Sequence, residues 1–144
     1  MHAPMLAPAA ALVLWSMIML LWMLVTRAPA LGKIGDGVGS FKPGGRYQDV
    51  ENMIPDRVNW KSHNYTHLME QPTIFYPAVI ILHLAGAATT TNLTLAWAYV
   101  ALRILHSIWQ ATVNRIPIRI ALFTLSSFCL LGLAVNVVRA TMGA

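Results

Sequence analysis

"QPTIFYPAVIILHLAGAATTTNLTLAWAYVAL", Gln71 to Leu102, runs for 32 residues without an Asp, Glu, Lys or Arg. A bilayer-spanning helix needs about 20 predominantly apolar residues. The helical pattern continues past Arg103 to about Val113, so the stretch is too long for one span and suits two. "GAATTTN", Gly86 to Asn92, supplies the break, with Thr91 or Asn92 placed to cap the helix that follows. Uncharged runs also occupy Ala3 to Thr26 and Ile120 to Val138. The pattern predicts an all-α integral membrane four-helix bundle, a single domain over residues 1–144. Its transmembrane helices fall at about 6–26, 66–87, 91–113 and 117–139, with a long loop over about 27–62. The first run is expected to be a retained helix, because no basic segment precedes it as in a cleaved leader.

Composition agrees. The chain is 57% hydrophobic and 10% charged, with a mean hydropathy of +0.59. A soluble domain carries roughly 25% charged residues, so little polar surface is available here to meet water. Lys and Arg set the expected orientation. Arg27, Lys33, Lys42, Arg46, Arg57 and Lys61 lie in the long loop, and Arg115 and Arg119 in the third connection, against Arg139 alone on the other side. The positive-inside rule then puts the loop in the cytoplasm and both termini outside. The net charge of +5 is thereby a topology signal. The loop mixes acids with its bases and has no basic run, so the expected partner is the lipid bilayer and not nucleic acid.

The glycines of "LGKIGDGVGSFKPGG", Leu31 to Gly45, match no phosphate-binding fingerprint and read as a connection with turns. "RYQDVENMIPDRVNWK", Arg46 to Lys61, has apolar residues at Val50, Met53, Ile54 and Val58 and suits an interfacial helical segment broken by Pro55. Cys129, the single cysteine, is expected to be a packed thiol.

Ionisable side chains in a bilayer are costly and mark functional sites. His63, His67 and Glu70 are spaced i, i+4, i+7 on one helical face. They admit a metal site completed by His106, or a plain interfacial role, and no metal is assigned. Glu70 and Arg103 are opposite charges at membrane depth, and each is costly to bury alone. They are expected to pair, either to fix helix register or to frame a pocket for a small anionic or zwitterionic molecule. Arg103, His106 and Gln110 share a face, and Arg115 and Arg119 flank Pro117 just below them. Guanidinium groups so clustered suit carboxylates, phosphates or lipid headgroups.

"LRILHSIWQATVNRIPIR", Leu102 to Arg119, resembles the third-helix signature of the membrane-associated proteins in eicosanoid and glutathione metabolism: R-x-x-H-[ST]-x-x-Y, then R-x-P-x-R. "HNYTHLMEQPTIF", His63 to Phe75, resembles the latter half of the family's second signature, R-x-x-x-N-x-x-E followed by Pro and Phe. The resemblance implies a left-handed four-helix bundle assembled as a homotrimer, with glutathione held at subunit interfaces. By position it gives Glu70 the glutathione amine. Arg103, His106 and Arg115 become binding residues, and Arg119 the catalytic residue that stabilises the thiolate. His67 and Gln110 fall in the same pocket but depart from the pattern, standing where an asparagine and a tyrosine are usual. Thr66 and His63 fill positions that are often arginine, and Ile120 a position that is serine in some members.

Two functions are therefore carried forward. One is a glutathione-dependent transferase or peroxidase acting on hydrophobic electrophiles. The alternative is a non-catalytic membrane component, or an accessory subunit of a larger complex, which uses the same polar set to hold its assembly together. Small residues in "GAATTT" and "LLGLA" favour the close helix packing that such a role needs.

Overall fold

A computed structural model describes residues 3–35 and 42–143. Every regular element among the described residues is helical. A 3-10 turn, Pro4–Leu6, leads into α1 (Ala7–Leu31). It is followed by α2 (Tyr47–Glu51), α3 (Asp56–Glu70), α4 (Pro72–Leu84), α5 (Thr90–Thr112) and α6 (Ile116–Met142).

The expected second span appears as two helical pieces and starts earlier than the apolar run. α2 stops at Glu51, before Pro55, whose missing N–H and fixed φ keep the two helices separate. Pro55 then serves as the N-cap of α3, which carries polar residues through ten positions before the expected boundary at 66. The long loop is correspondingly shorter, because α1 also continues to Leu31. Of the glycine-rich connection expected there, residues 36–41 lie outside the described residues. At the other end of α3, Pro72 removes the N–H that would bond the carbonyl of Leu68. Gln71 keeps helical dihedrals (φ −61°, ψ −37°), so α4 continues from α3 past this break. Gln71 is fixed from two sides: its Nε2 donates to Ser127 Oγ at 2.8 Å, and its Oε1 accepts from Tyr99 at 3.4 Å.

The expected turn at Gly86–Asn92 is present, with Gly86 at φ +68°. Its cap differs from expectation. Thr89, not Thr91 or Asn92, has the extended backbone an N-cap needs, and its hydroxyl accepts from the Asn92 N–H. Asn92 instead reaches inward to bond Asn136 at 2.6 Å, tying α5 to α6. Nearby, a Cβ on Gly132 would come within 3.1 Å of Leu95 Cδ1, so the backbone of α6 approaches α5 through a residue without a side chain. The small-residue reading of "LLGLA" holds here.

The core is largely apolar with buried polar groups among it, and the outer faces are apolar as well. Met5 of the 3-10 turn and Leu12 and Met19 of α1 face inward at heptad spacing, while Leu14, Leu21 and Val25 of α1 are exposed. On α6, Ile120, Phe128 and Leu131 are exposed. Asn64, Asn92, Arg103, His106, Ser107 and Gln110 are all buried. A helix apolar all round suits lipid on one side and protein on the other. Pro4–Leu31 and Ile116–Met142 are each long and apolar enough to cross a membrane. Lys61 sits at the edge of this region, with its Nζ 5.5 Å from the Trp22 ring. Partial burial, then the charge of Arg57, lower its pKa from the ordinary ammonium value.

The centre of the packing is polar. Ser107 Oγ, on α5, accepts from Asn64 Nδ2 of α3 at 2.7 Å and from Trp15 Nε1 of α1 at 3.0 Å. Apolar contacts surround this junction, including Phe75 stacked on Tyr99 at 4.4 Å between ring centroids. Ser107→Ala would leave two buried donors unpaired, at a cost of about 1–3 kcal/mol each. The variant is expected to melt several degrees below the wild type in detergent. The double variant N64L/S107A, which removes the Asn64 donor as well, is expected to recover part of that loss.

Candidate functional site

The connection between α5 and α6 creates the site. Asn114 is the only non-glycine residue with positive φ (+56°) among the described residues. Asparagine tolerates this left-handed conformation better than most side chains. The reversal turns α6 back along α5, and the Asn114 side chain is used as well: its Oδ1 accepts from Arg119 Nη1 at 2.8 Å. Trp109 Nε1 adds a bond to the Arg115 carbonyl at 3.2 Å. Arg119 is thereby held at half-buried depth one turn into α6.

A cavity of about 370 Å³ opens beside it, lined by His67 of α3, His106 of α5, and Ile116, Arg119, Ile120 and Phe123 of α6. The His67 and His106 rings meet edge to face at 6.0 Å. Arg103 stands behind this wall, buried to 1% exposure. Its Nη2 donates to the His67 carbonyl at 2.7 Å, and its Cζ lies 5.7 Å from the Phe123 ring centroid. Among the described residues its Nε and Nη1 have no hydrogen-bond partner, and neither do the buried Gln110 Oε1 and His67 Nδ1. The cavity offers cationic and imidazole donors on one side and an apolar wall on the other.

A second, more polar cavity of about 270 Å³ lies on the other side of His67, lined by Gln48, Glu51, His63, Thr66, His67 and Glu70. His67 is common to the two. Its Nδ1 is 3.0 Å from Glu70 Oε2, while His63 Nε2 pairs with Glu51 of α2.

Of the residues expected to act together, His67, His106 and Arg119 share the larger cavity. Glu70 reaches it only through His67. Arg103 and Gln110 are buried and line neither cavity, and Arg115 is exposed at the α6 N-cap. The expected Glu70–Arg103 ion pair does not form. The Glu70 side chain is 58% exposed at the C-terminal end of α3, whereas Arg103 is buried and bonds a main-chain carbonyl. The four-residue metal set is also not assembled: His63 turns to Glu51, and no group of three His, Cys, Asp or Glu among the described residues is placed to hold a metal ion. Sequence reasoning passed over Asn114, whose signal was an asparagine between a helix and "RIP". It also passed over Phe123, which nothing in the local pattern distinguishes from a lipid-facing residue.

Apolar outer faces surround buried polar groups, and basic and imidazole groups line an open cavity, as suits a membrane protein. The MAPEG family model matches residues 5–139, nearly the whole chain, and the protein belongs to that family. No curated protein and no solved structure matches it.

The Asn114 junction carries a stability prediction. Asn114→Ala places a Cβ residue without a local hydrogen bond in the left-handed region, at a cost of about 1–2 kcal/mol, and is expected to lower the melting temperature by several degrees. Asn114→Gly relieves the strain and should melt close to the wild type. Asn114→Asp should do so as well while keeping the acceptor for Arg119. Thermal unfolding in detergent distinguishes the three.

Proposed function

We propose that the protein is a glutathione-dependent membrane enzyme, a transferase or peroxidase acting on hydrophobic electrophiles. The observation that carries this reading is the cavity itself, where Arg119, His67 and His106 face Ile116, Ile120 and Phe123 across one space. Such a lining suits a polar thiol compound on one side and a lipophilic partner on the other.

The residues fit the peptide. Arg119 is fixed by Asn114 and can stabilise negative charge on sulfur, since a nearby cation favours the thiolate. His106 adds a donor beside it. The Glu70 carboxylate uses one oxygen for His67, and its second oxygen suits an ammonium group. Arg103 stands behind the cavity wall with Nε and Nη1 unpartnered among the described residues, and its charge favours a carboxylate bound in front of it. Arg115, exposed at the start of α6, adds positive charge at the rim. Glutathione, when bound, supplies a thiol that becomes the nucleophile on losing its proton.

In this reading residues 1–144 form a single domain, a four-helix bundle in which α1, α3–α4, α5 and α6 cross the bilayer. The long first loop is cytoplasmic and both termini are on the other side. The exposed apolar faces support a homotrimer in which a neighbouring copy closes the open side of the cavity. One observation favours the second reading, a non-catalytic component of a larger complex. Gln110, where the family pattern has tyrosine, is buried at 1% exposure and lines neither cavity.

Calorimetry of the purified oligomer in detergent is expected to show glutathione binding. Arg119→Ala should lower turnover of a lipophilic electrophile by about 100-fold, the scale of removing one preorganised charge-stabilising donor. A wild-type protein that shows no binding heat sinks the enzyme reading and leaves the non-catalytic one.

A further inference from the structure

We propose that His67, oriented by Glu70, is the general base of the site: it takes the proton of a thiol held against Arg119 and passes it toward the polar cavity. This rests on the glutathione reading above and adds a residue and a proton route to it.

The argument is geometric. His67 is the residue shared by the two cavities, with Arg119 on one side and Glu70 and His63 on the other. Glu70 Oε2 lies 3.0 Å from Nδ1. The contact is a charge contact and not an aligned hydrogen bond, but a carboxylate at that distance favours the proton on Nδ1 and leaves the Nε2 lone pair on the opposite edge of the ring. This is the arrangement in which an imidazole acts as base and a carboxylate orients it. The ring is also fixed through its backbone, because Arg103 Nη2 bonds the His67 carbonyl, and it packs edge to face on His106. An asparagine at this position could donate and accept hydrogen bonds but could not take up a proton.

The step balances within the site. The S–H bond breaks and its electron pair stays on sulfur, where Arg119 faces the charge. An N–H bond forms at His67 Nε2, and Glu70 offsets the imidazolium charge. The charged and titratable groups around the ring are Glu70 on α3, Arg103 and His106 on α5, and Arg119 on α6. The neutral imidazole is then restored by loss of this proton to solvent through the polar cavity, which Glu51 and Thr66 also line. Glu70 is in this account a positioning residue, acting through His67.

The test reads binding and ionisation separately. Glutathione is titrated into wild type, H67Q, H67N and E70Q in detergent near neutral pH, following heat and the ultraviolet absorbance of the bound thiolate. H67Q and H67N are expected to bind within a few-fold of the wild type. E70Q is expected to bind more weakly, because it also loses the carboxylate offered to the ammonium group, and all thiolate signals are compared at saturating glutathione. H67Q and H67N should lose most of the thiolate signal, and E70Q should lose part of it. Turnover in the two histidine variants should fall about 100-fold, the lower end for a general base. A full thiolate band in H67Q or H67N overturns the base while leaving the glutathione reading intact. Absent binding heat in the wild type overturns both. Glu70 is exposed, so E70Q is expected to fold even if a histidine variant does not, and an unchanged thiolate signal in E70Q overturns the dyad.

Discussion

Ser107 Oγ takes hydrogen bonds from α1 and α3 at one point, and the arrangement of the remaining helices depends on it. A donor buried away from water costs free energy unless an acceptor meets it. Asn64 and Trp15 must therefore meet an acceptor within the protein, and a single hydroxyl serves both. Apolar packing against lipid tails discriminates weakly between helix registers, since lipid is as apolar as leucine. A directional polar contact discriminates strongly. Once Ser107 sets the position of α5 against α3, His67 and His106 come to the same height, and Arg103 meets the His67 carbonyl.

The same logic explains the polar groups farther out. Gln71 compensates for the break at Pro72 by bonding α5 and α6. Asn92 ties α5 to Asn136 at the opposite end from the site. Each contact joins helices distant in sequence, and each uses a neutral side chain, which costs less to bury than a charge. Arg103 is the exception, a buried guanidinium with only part of its donor set used.

Much of this was legible from the chain. Uncharged runs located the apolar helices, and the Arg103–Arg119 pattern pointed to the family. The spacing of His67 and Glu70 placed them on one face, where the structure pairs them. Helix starts were less legible, because α3 begins in polar sequence that hydropathy assigns to a loop. The Glu70–Arg103 pairing was inferred from charge alone. Charge does not reveal that one partner points outward and that a main-chain carbonyl competes for the other. Asn114 was invisible for a related reason: its importance lies in a backbone dihedral, and no composition window registers one residue in the left-handed region.

The hairpin of α5 and α6 is fastened at both ends. Gly132 against Leu95, with Asn92 on Asn136, holds one end, and Asn114 on Arg119, with Trp109 on Arg115, holds the other. A pair of rods pinned twice cannot scissor. The α5 and α6 walls of the larger cavity therefore behave as fixed jaws, and its width is set by helix geometry and not by the ligand. The third wall comes from α3, which is tied to α6 by the Gln71–Ser127 bond and to α5 by Asn64 on Ser107 and Arg103 on the His67 carbonyl. The wall that carries His67 is thereby referred to both jaws, and the three helices keep one spacing.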